Sequence, residues 1–88
     1  MEGLVSGFKL YELNGNEDLD DIKDSGIYKI SSSNVKTHSP VENPLGSFVQ
    51  CLRYSSSSAS QILFGQSLAS IYYRFNSGGV WKEWTKLP

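Results

Sequence analysis

The stretch from Ser70 to Asn76, SIYYRFN, sets Ile71, Tyr73 and Phe75 against Tyr72, Arg74 and Asn76. A period of two places alternate side chains on opposite faces of an extended strand and does not fit a helix. Asn76-Ser77-Gly78-Gly79 follows, and glycines there take the positive φ that a tight hairpin needs. The returning segment carries Trp81 and Trp84 three residues apart. A straight strand would send them to opposite faces, so a bulge or a strand buried on both sides is expected. Residues 48–54, FVQCLRY, alternate Phe48, Gln50, Leu52 and Tyr54 with Val49, Cys51 and Arg53. SSSSAS reads as a loop of small hydroxyl residues and QILFG as a further short strand. Strands spaced in this way with turn signals between them indicate a β-dominated domain.

The first half is less regular. FKLYEL, residues 8–13, reads as a weakly specified extended segment starting at Phe8, and NGNE as a turn. Asn16 or Asp18 can cap a short helix in which Glu17 to Asp21 place acid at the positive end and Leu19 and Ile22 share a face. Ser25-Gly26 ends it, and IYKIS alternates as a strand. Residues 31–47, with Pro40, Pro44 and Gly46, form a long loop, of a length usually functional or disordered. The expected fold is mainly β: a small antiparallel meander or sandwich with one short N-terminal helix, in a single domain over residues 1–88.

A chain of 88 residues buries only ~60 to 65 % of its unfolded surface, so a staple from outside the core is expected. The single cysteine, Cys51, excludes an internal disulfide, and with one histidine, His38, neither a metal site nor a cofactor is expected. Oligomerisation is the staple that remains. A net charge of -1 leaves no basic footprint for nucleic acid. No apolar run nears the ~20 residues of a membrane span, and MEGLVSGFKL lacks the pattern of a signal peptide.

Fifteen serines and one histidine make no hydrolase: there is no G-x-S-x-G elbow, and a nucleophilic serine needs a base and an orienting group. The acids Glu17, Asp18, Asp20, Asp21 and Asp24 do not have calcium-loop spacing and read as a solvated helix start. Tyr72, Arg74, Asn76, Trp81 and Trp84 are the remaining constellation. Aromatic faces beside planar polar groups suit sugars, and the same residue types build interfaces and cores. Leu19, Ile22, Ile27, Leu52, Phe75, Trp81 and Trp84 are expected in the core, and Tyr72, Arg74 and Asn76 on the outward phase. On that division Trp81→Ala abolishes folding and Arg74→Ala leaves a folded protein.

DLDDIKDSGIYKI (18–30) and SIYYRFNSGGVWKEWTKLP (70–88) together resemble the pyocin-knob family of bacteriophage tail-fibre and tail-spike domains. The matching positions are Asp18, Leu19, Asp21, Ile22, Gly26, Ile27 and Tyr28 at the front. At the back they are Ile71, Tyr72, Tyr73, Arg74, Gly79, Trp81, Trp84 and Leu87. Residues 34–46 depart from the family pattern. The resemblance implies a non-enzymatic, homotrimeric receptor-binding knob on a virion tail, placed with other tail or baseplate proteins and attached to a bacterial cell-surface saccharide. The chain then reads as a C-terminal fragment of a longer tail protein. Tyr72, Arg74, Asn76, His38 and Asn34 are the expected ligand contacts. A trimerisation or capping module of a fibre, and a carbohydrate-binding appendage of a glycan-degrading enzyme, are the alternatives.

Overall fold

A computed structural model describes residues 9–65 and 69–88. It contains β1 (Leu10–Leu13), a 3₁₀ turn (Leu19–Asp21), β2 (Gly26–Ile30), β3 (Ser47–Ser55), β4 (Ser58–Gly65), β5 (Tyr72–Ser77), β6 (Val80–Trp81) and β7 (Thr85–Lys86). These strands form one sheet in the order β1-β2-β3-β4-β5-β6, with β7 also on β5. The mainly β expectation holds, with three corrections. The sheet is single, not a sandwich. β1 runs parallel to β2, so the meander is antiparallel only from β2 onward. The N-terminal helix is a single 3₁₀ turn. Phe8, read as the start of the first strand, lies outside the described residues.

The helix stops after one turn because its acceptors are used by the sheet. Asp18 caps it by accepting from the Asp20 backbone N–H at 2.9 Å. The Leu19 carbonyl accepts from the Ile22 N–H and also from Gln61 Nε2 on β4 at 2.7 Å, and the Ile22 carbonyl, which a longer helix would offer to a later N–H, accepts from the same Nε2 at 2.8 Å. Ile22 turns extended, with φ -88° and ψ 95°. The segment from residue 14 to residue 25 is thus the crossover a parallel pair requires.

Crossover and long loop together cover one face of the sheet. Leu19, Ile30, Val35, Val49, Cys51 and Leu63 are all at 0 % exposure there. The 31–46 loop is packed: Val35 enters the core, Gly46 donates to the Ile30 carbonyl, and Leu19 donates to Thr37. Burial pushes the Cys51 thiol up to about 11, which suits a core residue whose Sγ donates to the Ile22 carbonyl. Tyr28 is likewise raised by burial, to about 12, while its hydroxyl donates to the Asp24 carbonyl.

At the other end of the sheet Gly78 and Gly79 take φ of 66° and 85°, the two positive values of a two-residue hairpin. Trp81 and Trp84 follow neither expected pattern, bulge or two-sided strand. The returning chain pairs with β5 through Trp81, leaves the ladder, and pairs again at Thr85. That break frees the two indoles to point the same way. Among the described residues no helix is long and apolar enough to cross a membrane.

Leu19 joins the crossover to the sheet core, so Leu19→Ala should lower stability by about 2 to 5 kcal/mol. Urea unfolding followed by tryptophan fluorescence measures it, and a loss below 1 kcal/mol, the scale of a surface change, would place Leu19 outside the cooperative core.

Candidate functional site

The register turns β5 the opposite way from the expected one. Gln61 pairs with Arg74, Leu63 with Tyr72, and Ala59 with Asn76, and those β4 residues are all buried against the crossover. Arg74 and Asn76 are therefore buried, each 4 % exposed, while Phe75, expected in the core, is 49 % exposed on the other face. Ile27 and Leu52, also expected in the core, are half-buried on that same outer face. Leu19 and Ile22 are core as expected, and Trp81 and Trp84 are half-buried against it.

Burial of Arg74 is offset by partners on several elements. Its Nε donates to Gln61 Oε1 at 2.9 Å and its Nη1 to Asp20 Oδ1 at 2.8 Å. The guanidinium carbon lies 4.2 Å from the Trp81 ring centroid and 4.5 Å from that of Trp84. Two indole π faces supply negative potential to a cation removed from water. Nη2 has no hydrogen-bond acceptor among the described residues, and these rings are its compensation. Trp81 Nε1 donates to the Asp20 carbonyl at 3.0 Å, which fixes that ring against the 3₁₀ turn. Burial lowers the pKa of Arg74, and the bond to Asp20 works against that shift.

Next to this stack opens a cleft of about 470 Å³, lined among others by Asp20, His38, Lys82, Glu83, Trp81 and Trp84. His38 sits at φ 61° in the long loop, and its carbonyl accepts from Trp84 Nε1 at 2.7 Å. Its Nδ1 lies 2.7 Å from Asp18 Oδ1 and 3.3 Å from Asp20 Oδ2. The hydrogen bond to Asp18, and then the charge of Asp20, raise the pKa of His38 above 6.5. Burial pushes the Asp18 carboxyl up, but the hydrogen bonds from His38 and from the Asp20 backbone outweigh it and leave the group below 3.8.

Asp18, Asp20 and His38 each place a metal-ligating atom within 4.8 Å of the others, a grouping that one-dimensional spacing did not suggest. Those atoms already bond one another, and the Arg74 guanidinium on Asp20 opposes a second cation. The cluster works as an ion-pair network.

Of the five expected ligand residues, His38 and Arg74 meet at this cleft. Asn34 is exposed in the long loop, with its backbone N–H on Ser32 Oγ, and does not line the cleft. Tyr72 packs half-buried against the core. Asn76 lines a separate space of about 30 Å³ beneath the serine-rich β3–β4 turn. Sequence reasoning missed Asp20, read as solvated, and Gln61. A glutamine opening an otherwise apolar strand was the available signal for the second.

No family model, curated protein or solved structure matches the chain.

Arg74→Ala leaves the buried Gln61 side-chain carbonyl without its donor, while the partly exposed Asp20 keeps His38, so it should cost about 1 to 3 kcal/mol in a urea titration, as an orphaned buried acceptor does. The expectation that the variant still folds came from placing Arg74 on the outward phase, and a loss under 1 kcal/mol, within the usual exposed-pair range, would return it there. The His38–Asp18 pair sets a pH window. A raised histidine pKa stabilises fully below 6.5 and ceases to do so as pH rises through the raised value; a lowered aspartate pKa stabilises above 3.8 and ceases as pH falls through the lowered value. The thermal midpoint should therefore decline above pH 6.5, and His38→Asn, which tolerates the positive φ, should remove that decline. A variant that keeps the slope would contradict the assignment.

Proposed function

We propose that the chain is a non-enzymatic binding knob whose cleft between Trp81, Trp84 and His38 takes a bacterial surface saccharide. The observation that carries this reading is the cleft itself, where indole rings stand beside carboxylate, imidazole and ammonium groups. Sugars present apolar C–H faces to rings and hydroxyls to planar polar groups, and a site needs few such groups if they are held in place. Here they are held. Trp81 is tied to the 3₁₀ turn, Trp84 to the His38 carbonyl, and His38 to Asp18.

The tail-fibre context comes from the pyocin-knob resemblance of residues 18–30 and 70–88. On this reading the chain belongs to a virion tail, works as a homotrimer with other tail or baseplate proteins, and gains avidity by presenting a weak site several times. A trimerisation or capping module is the second reading. The apolar outer face of the sheet favours it, with Phe75 at 49 % exposure and Ile71 at 42 %.

Immobilised chain should retain envelope polysaccharide from the host, and Lys82→Ala together with His38→Asn should weaken retention by about tenfold, the equivalent of 1.4 kcal/mol. Both residues line the cleft and are exposed, and the thermal midpoint of the double variant, read beside retention, separates lost binding from the lost His38–Asp18 pair. Retention that is unchanged in the double variant rejects the cleft, and adsorption that survives its loss favours the structural module.

A further inference from the structure

We propose that the outer face of the sheet is a homotypic interface, covered in solution by the same face of a second copy of this chain. The inversion of β5 is the starting observation. A strand carrying three apolar side chains on one phase and Tyr, Arg and Asn on the other buries the polar phase and leaves Ile71, Tyr73 and Phe75 outside. The neighbouring strands continue the surface. Register sets Ile27, Gln50, Ile62, Tyr73 and Thr85 in one row across β2, β3, β4, β5 and β7. The next row holds Leu52, Ser60 and Phe75. Phe48 stacks on Phe64 at 5.8 Å, and Tyr73 meets Phe75 edge-on at 5.8 Å. Tyr54, 62 % exposed, reaches across to bond Ser60 Oγ.

Charge and size identify the occupant. Neither row carries an ionised group; the charged residues of this face, Glu12 and Lys29, are opposite in sign and stand opposite each other in register at the β1–β2 corner. A charged partner has nothing to recognise there, whereas a copy meets no like-charge repulsion. The polar groups left accessible in the two rows are Gln50, Tyr73 and Thr85, each both donor and acceptor, so each can bond a counterpart on the second copy. Self-complementarity of that kind is the requirement of an isologous contact. Saccharide recognition fits poorly, because Gln50 is the one planar polar side chain in the two rows. Five strands at about 4.8 Å spacing and six residues at about 3.3 Å rise give a footprint of about 24 by 20 Å. Two such faces bury about 1,000 Å², where specific interfaces begin, and sheets stack face to face in this manner in sandwiches. The inference is independent of the saccharide cleft, which lies on the inner side, and it differs from the trimer of the tail-fibre reading: an isologous contact is two-fold and joins copies in pairs.

Sedimentation equilibrium on the full chain, up to about 1 mM, the concentration that detects even a 4 kcal/mol association, tests it. The mass should rise above that of one chain as concentration rises. Phe75→Asp and Thr85→Arg, at two exposed positions of the face, should each raise the apparent dissociation constant by roughly 30-fold or more, as hot-spot substitutions do. Near-UV circular dichroism checks the fold, and if Phe75→Asp unfolds the chain, Thr85→Arg alone decides. A single-chain mass at the highest concentration overturns the proposal and leaves the face to another partner. Association indifferent to the folded variants overturns it as well.

Discussion

The guanidinium of Arg74 bonds Gln61 and Asp20 and lies between the indoles of Trp81 and Trp84. A cation this far from water survives only when every partner is in place, and its partners come from the crossover, from β4 and from the returning C-terminal segment. The 3₁₀ turn is held where Asp20 can accept. Gln61 bridges the same turn to the arginine by donating to Leu19 and Ile22 with its other end. The C-terminal chain breaks its ladder so that both rings reach one cation. Elements that already meet in one apolar core are thereby joined through a polar centre as well. In a domain of 88 residues that centre offsets a small core.

The candidate cleft is the outer edge of this arrangement. Asp20 serves the arginine with one oxygen and faces His38 with the other, and Trp84 closes on the His38 backbone. Groups that bind a ligand must be rigid before it arrives, because ordering them at the moment of binding subtracts from affinity. The structural network supplies that rigidity. Stability and recognition thus draw on the same side chains, which is why the tryptophans belong neither wholly to the core nor wholly to the surface.

Much of the architecture was legible in the residues. The alternation of FVQCLRY and SIYYRFN, the Gly-Gly turn and the buried positions Leu19 and Ile22 all correspond to what is observed. The parallel β1–β2 pair was not legible, since a four-residue strand with mixed phase carries no mark of its neighbour's direction. The site was half legible. His38 and Arg74 stood out by type, while Asp20 looked like one solvated acid among five, and Asn76 and Asn34 lie elsewhere. The helix was overread because capping and an apolar i, i+3 pair support one turn as readily as three.

The sequence by itself determined that strands form, where they turn, and that two tryptophans follow a tight hairpin. It could not determine which face of β5 is inside. Alternation with a period of two is unchanged when the two faces are exchanged, and hydrophobicity alone would have turned Phe75 inward. Tertiary structure decided the matter through Asp20, 54 residues before Arg74 in the chain, and through Gln61, Trp81 and Trp84. Only when these are gathered around one point does burying an arginine cost less than exposing it gains. The apolar phase is then left outside, and the sheet acquires a second surface that no local pattern announced.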